Sequence, residues 1–383
     1  MIPRILENKI KDMAKKFPVI TLTGTRQCGK STILKECFPN YEYLSLEDPD
    51  VREFAENDPR GFLKAYPDNV ILDEAQRAPE LFSYIQTVVD ASRECGRYIL
   101  SGSHNFLLME KVSQSLAGRC AVLKLEPFSI QELDQEGCLP ETIWEQMLYG
   151  GYPRLYDKKI SPQDYFPSYV ATYVERDVRS VLNVTNSAAF IRFVRLCAAR
   201  SGQVLNMTEL AASAGISVPT ANHWMSVLEQ SYLVYRIMPY YKNFSKRLVK
   251  APKLYFGDVG LLCYLLGIET VEQLQTSDHK GSIFETMIVS EYRKSRLFAG
   301  RNADYFYWRD TNGNEIALLT ESAEELHAYE IKLAETMNTK YLRTLHKFGE
   351  WSDTPEERLT CVYTGKTIKT ERGNFIHYKD LWH

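Results

Sequence analysis

No run of residues in this sequence is long and apolar enough to cross a membrane as a helix; the longest apolar runs are only of strand length. The first residues, Met1-Ile2-Pro3-Arg4, lead straight into charged helical sequence and lack the apolar core of a secretory leader. Cysteine never forms a C-x-x-C pair. The eight cysteines stand singly at 28, 37, 95, 120, 138, 197, 263 and 361, which gives no hint of zinc and indicates reduced thiols in the cytoplasm. An excess of basic charge is missing too: the formal net charge is −3, so any nucleic-acid surface must be a local patch. Low-complexity linkers and internal repeats are absent, so domains have to be found from changes of pattern. What is there is 383 residues, 44% hydrophobic and 25% charged, enough to bury large cores in two or three domains.

The least ambiguous stretch runs from Val19 to Phe38. Gly24-Thr25-Arg26-Gln27-Cys28-Gly29-Lys30-Ser31 fits G-x-x-x-x-G-K-[ST] without a mismatch, behind the β-branched run Val19–Thr23 and ahead of helical sequence from Ser31 to Lys35. Gly24 and Gly29 allow the tight turn that points successive N–H groups at a phosphate. Lys30 reaches the β- and γ-phosphates, and the Ser31 hydroxyl is placed to ligate Mg²⁺. The expected ATP-binding set is Gly24, Thr25, Arg26, Gln27, Cys28, Gly29, Lys30, Ser31 and Thr32.

Asn69-Val70-Ile71-Leu72-Asp73-Glu74 reads as a buried parallel strand that ends in two carboxylates. Behind a phosphate loop, Asp73 is expected to hold Mg²⁺ through water and Glu74 to polarise the attacking water. A third strand, Arg97–Leu100, precedes Ser101-Gly102-Ser103-His104-Asn105. ATPases with an extra strand between the loop strand and the acidic strand place a γ-phosphate sensor here; Ser103 is the candidate, with His104 or Asn105 as substitutes. Arg119, before the strand Ala121–Leu125, is either an arginine finger, acting in cis or in trans, or a charge at a helix end.

From Glu141 to Ser201 the pattern turns helical, with Tyr169, Tyr173, Val174, Val178 and Val181 at 3.6-type spacing. Asn206–Leu233 reads as a helix-turn-helix, with a turn at Gly215, Thr208 or Ser217 as N-cap and Pro219 in the first turn of the second helix; Tyr232–Ile237 supplies the strand of a wing. Its second helix carries no Lys or Arg, so duplex DNA would be held through the cluster Lys242, Lys246, Arg247, Lys250 and Lys253. Further on, a helix over Phe284–Lys294 precedes strands Tyr305–Asp310, Asn314–Glu321 and His327–Leu333. With Glu330-Ile331-Lys332 on the last strand, this looks like the core of the PD-(D/E)XK nucleases, where a carboxylate and a lysine share one strand face. The second metal-binding aspartate should stand at Ala317. Glu315, two residues away on the same face, is displaced by roughly 7 Å.

Taken together, these motifs resemble the bacterial and archaeal AAA-type P-loop ATPases with a C-terminal domain of unknown function. The resemblance is carried by Leu72–Gln76, Ser115–Arg119, Gly150–Pro153, Tyr173–Asp177, Asp258–Leu261, Phe284-Glu285, Trp308-Arg309 and Glu330–Lys332. It implies an α/β P-loop NTPase with a parallel sheet and inserted strand (1–135), a helical lid or linker (136–201), a winged helix-turn-helix (202–255) and an α+β nuclease-like domain without nuclease activity (256–383). The function so read is Mg²⁺-dependent ATP hydrolysis as a switch or small motor, coupled to DNA or an unknown protein partner and compatible with an oligomer. The alternatives are a nucleotide-regulated DNA-binding module and a DNA-cleaving effector.

Overall fold

The computed structural model describes residues 2–92, 94–102, 105–178, 187–240, 251–301, 304–322 and 325–381. The chain forms two compact units. The first is Met1–Phe128 with Gln230–Tyr232 and Arg296–Arg301; the second is Ser129–Glu229, Leu233–Ser295 and Asn302–His383.

In the first unit, β1 (Val19–Gly24), β2 (Glu42–Ser45), β3 (Val70–Asp73), β4 (Tyr98–Ser101) and β5 (Cys120–Leu125) build a sheet in the order β2-β3-β4-β1-β5. Every pairing is parallel. A parallel sheet covered on both faces has no solvent side for polar residues, and β1, β3 and β4 are buried at every position. Alternate residues supply two cores: Val19, Leu72 and Leu100 pack on one side, Ile20, Ile71 and Ile99 on the other. Helix α1 (Leu6–Ala14) and helix α2 (Lys30–Cys37) contribute Leu6, Ile10, Ile33 and Leu34 to the second of these. The expected inserted strand is present as β4, with Tyr98 paired to Val19 on one side and Val70 on the other.

The second unit begins with helices at Ile130–Gln135, Ile143–Tyr149, Pro153–Asp157, Pro162–Tyr169 and Ser187–Ala199, the fourth of which continues into a π-helical stretch over Val170–Val178. Tyr169, Tyr173 and Val174 are buried, as their spacing requires; the side chain of Val178, and Val181, lie outside the described residues. Helices Met207–Ala214 and Val218–Gln230 are joined through Gly215, left-handed at φ 70°. The first is capped by Asn206, whose side chain accepts from the Glu209 amide at 3.2 Å, and not by Thr208; Ser217 accepts from the Thr220 amide at 3.2 Å ahead of the second. Trp224 packs inward, edge-on to Phe190 and Phe193. Strands β6 (Gln203–Val204), β7 (Val234–Ile237) and β8 (Lys253–Phe256) form a small sheet in the order β6-β8-β7.

A six-stranded mixed sheet follows, built from β9 (Tyr305–Arg309), β10 (Glu315–Ser322), β11 (Glu325–Lys332), β12 (Leu359–Tyr363), β13 (Ile368–Thr370) and β14 (Gly373–His377) in the order β13-β14-β12-β11-β10-β9. Its β9–β10 register slips between Ile316 and Leu319. The resulting bulge sends Ala317 and Leu318, neighbours in sequence, into one core and Ile316 and Leu319 into the other, so strict alternation breaks between Ala317 and Leu318. The DNA-facing role expected of Lys253 also needs correction. Lys253 is 1% exposed and held by two carboxylates, so it cannot reach a phosphate backbone. Lys242, Lys246, Arg247 and Lys250 lie outside the described residues.

Candidate functional site

The phosphate loop leaves the C-terminal end of β1 with Gly24 at φ 141°, Gln27 at 62° and Gly29 at 95°. Only glycine fits the first position: a Cβ there would lie 1.9 Å from the Leu125 carbonyl oxygen. Gly29 opens α2 and brings no capping side chain, which leaves the first-turn amides and the positive end of the helix dipole to an anion. Lys30 is folded over the loop, its Nζ donating to the carbonyls of Gly24 and Thr25 at 3.0 Å each. The Thr25 hydroxyl donates to Glu126 Oε2 at 3.3 Å. Cys28 is buried and its thiol points at the Leu125 carbonyl; burial pushes its pKa up, which makes it a packing group and not a nucleophile. Arg26 is half-buried, and Gln27 and Thr32 are exposed.

The acidic strand delivers Asp73 to the same place. One carboxylate oxygen accepts from Ser31 Oγ at 2.6 Å and from the Tyr43 hydroxyl; the other accepts from Ser101 Oγ at 2.5 Å and the Glu74 amide at 3.1 Å. Burial pushes the Asp73 pKa up, but the Ser101, Ser31, Tyr43 and Glu74 hydrogen bonds outweigh it and hold the carboxyl below its ordinary value. Tyr43 is fixed in turn by Lys35, whose ammonium lies 3.6 Å from the ring centroid. Glu74 takes a left-handed backbone at φ 53°, an uncommon conformation for a non-glycine residue, and accepts a hydrogen bond from the Gln76 side chain.

Lys30, Ser31, Asp73 and Glu74 are thus brought together by the ends of β1 and β3. Arg119 is not. It precedes β5, whose first residue Cys120 pairs with Val19 at the start of β1, so it stands at the opposite, N-terminal end of the strands, about 20 Å of strand away. There it makes a two-pronged contact with Asp90, at 2.5 and 2.9 Å. Ser103 and His104 lie outside the described residues, as does the side chain of Asn105. From β4 it is Ser101 that reaches Asp73.

Three family models match the chain: an AAA domain at residues 16–134, a domain of unknown function (DUF8612) at 140–272, and a domain of unknown function (DUF4143) at 280–381. Residues 16–134 are an AAA domain. It is followed in this chain by two domains to which no function is attached. Uncharacterized proteins of Mycobacterium bovis and Mycobacterium tuberculosis are each 27% identical over 363 residues, 94% of this chain and 79% of theirs. Among solved structures, the Walker-type ATPase of Pyrococcus abyssi is 13% identical with a TM-score of 0.47, over 69% of this chain and 96% of its own. AMPPCP-bound DnaA from Aquifex aeolicus is 13% identical with a TM-score of 0.30, over 59% and 86%. TM-scores of this size do not establish a common fold over the matched lengths. The AAA domain is identified by its family match and by the strand order that sets β4 between β1 and β3.

Two features of the site carry little signal in the sequence. Arg4 is buried, donates to the carbonyls of Cys28 at 2.9 Å and Glu126 at 2.7 Å, and lies 4.7 Å from the Phe128 ring centroid. It buttresses the loop from a position more than twenty residues upstream. Tyr43 comes from the edge strand β2, a four-residue Glu-Tyr-Leu-Ser stretch in which only Leu44 is buried and which does not advertise a strand.

Proposed function

We propose that the chain binds ATP together with Mg²⁺ at Gly24–Thr32 and hydrolyses it, and that the cycle works as a switch or small motor for a partner. The observation that carries this reading is the meeting of Lys30, Ser31, Asp73 and Glu74 at one end of the parallel sheet. Ser31 and Asp73 are hard oxygen donors already in contact and would hold the Mg²⁺, which when bound supplies charge neutralisation at the phosphates. Among the described residues no three His, Cys, Asp or Glu side chains converge on a metal position. That suits an ion which takes its other ligands from water and phosphate. The Lys30 ammonium would exchange the Gly24 and Thr25 carbonyls for phosphate oxygens. Glu74, oriented by Gln76, would accept the proton of the attacking water.

An arginine-finger role for Arg119 would have to be played toward a second copy, since its own loop is at the other end of the strands. For the rest of the chain we keep the division into a helical region, a winged helix-turn-helix and a nuclease-like domain without nuclease activity. The helix-turn-helix with its three-stranded sheet supports the winged-helix reading. The lack of any Lys or Arg on helix Val218–Gln230 favours a protein over DNA as the partner. Among the described residues no helix is long and apolar enough to cross a membrane.

The test is phosphate release from Mg²⁺·ATP by wild type and Glu74→Gln, with and without duplex DNA. The variant should turn over about 10²–10⁴-fold more slowly. Equal rates would remove Glu74 from the mechanism. Strong stimulation by DNA would replace the protein partner with a DNA-coupled role.

A further inference from the structure

The nuclease resemblance implies a divalent metal held near Glu285 and Glu330, and the residues present do not fit one. The position of the missing aspartate, Ala317, is apolar and buried at 4% exposure. More tellingly, a cation already stands among the carboxylates. Lys253, on β8, extends its ammonium to Glu285 Oε1 at 2.9 Å and Glu315 Oε1 at 2.6 Å. Glu285 Oε1 also accepts from the Tyr255 hydroxyl at 2.7 Å, and the ammonium lies 5.8 Å from the ring centroids of both Tyr255 and Tyr307. Arg309 reaches the other oxygen of Glu315 at 3.4 Å, and Lys332 pairs with Glu330 at 2.6 Å.

We propose that Lys253 takes the place of a divalent cation in this cluster: its ammonium ties Glu285 and Glu315 together, closes the cluster to Mg²⁺ and Mn²⁺, and leaves the domain independent of metal. The charge balance supports this. Three carboxylates, Glu285, Glu315 and Glu330, face three cations, Lys253, Arg309 and Lys332. A divalent ion would enter a formally neutral cluster, would compete with the ammonium for Oε1 of Glu285 and Glu315, and would gain both oxygens fully only by expelling a buried lysine. Burial favours loss of the Lys253 proton, but the two carboxylates outweigh it, so the charge stays. The inference rests on this cluster alone and is independent of the ATP reading.

Manganese titration of the intact chain, followed by electron paramagnetic resonance without nucleotide, tests it. Wild type and Glu285→Gln should behave alike. Lys253→Met should bind Mn²⁺ at least about tenfold more tightly than wild type, because the carboxylates lose their internal cation, and Glu285→Gln added to it should abolish the gain. A folded Lys253→Met that gains no affinity overturns the proposal, as does Mn²⁺ binding by wild type that Glu285→Gln removes. Should Lys253→Met fail to fold, Ala317→Asp decides. With Lys253 in place it should bind no better than wild type, and tighter binding would show that the missing carboxylate was the whole defect.

Discussion

Asp73→Asn changes the charge of the site and almost nothing of its shape. Asparagine keeps a carbonyl for Ser101 and the Glu74 amide, but turns an NH₂ group toward Ser31 and Tyr43, whose hydroxyls must rotate to accept. Three side-chain hydrogen bonds lose their charge assistance, each falling from about 1.5–3 to about 1 kcal/mol, while release from burying a charge returns part of the loss. The first unit should therefore be less stable by about 1–2 kcal/mol at pH 7. The sign of the pH dependence follows from the lowered pKa of Asp73: its contribution is complete above the unfolded-state value of about 4 and is lost as pH falls through the lower folded value. The gap between wild type and variant should accordingly close in acid. The five tryptophans, at 144, 224, 308, 351 and 382, all belong to the second unit, so their fluorescence is an internal control. In sub-denaturing urea, amide exchange in β1 and β3 should quicken while the tryptophan transition stays in place. A variant as stable as wild type at pH 7, or a gap that widens in acid, would refute the reasoning.

Arg4→Met should destabilise the first unit by about 3 kcal/mol, since the carbonyls of Cys28 and Glu126 lose a charged donor inside the protein; amide exchange in α1 and β1 measures it, and an unchanged rate would show that the contact is dispensable. Gly24→Ala should cost at least about 2 kcal/mol through backbone strain and the clash with Leu125, and should abolish ATP binding as read by fluorescent-nucleotide displacement; retained binding would mean that the loop can take another path. Tyr43→Phe should remove one donor from Asp73 and raise its pKa, moving the acid limb of the stability profile to higher pH; an unshifted limb would count against the hydroxyl.

The phosphate loop, the acidic strand and the inserted strand were legible because local chemistry dictates them: two glycines at backbone angles other residues avoid, and apolar runs that only a doubly covered parallel strand can bury. The helical region and the strands β9 to β11 were legible from periodicity for the same kind of reason. What stayed hidden depends on pairing across distance. Arg4 and Tyr43 act through partners more than twenty residues away, and the sequence does not reveal that Ser101 is the residue of β4 that reaches Asp73. Lys253 looked like one of several surface cations, since neighbouring basic residues suggest a patch, whereas β8 turns this one toward Glu285 and Glu315. The bulge at Ala317 is likewise invisible in a strand whose residues are all apolar there.

The central claim is that the loop after β1 grips ATP through Lys30. Calorimetric titration of ATP into wild type and Lys30→Ala tests it most directly, with far-UV circular dichroism to confirm that both are folded. Wild type should bind, and the variant should bind at least about tenfold more weakly, a loss of about 1.4 kcal/mol or more. Equal affinity in the two proteins, or no binding by wild type, would contradict the account.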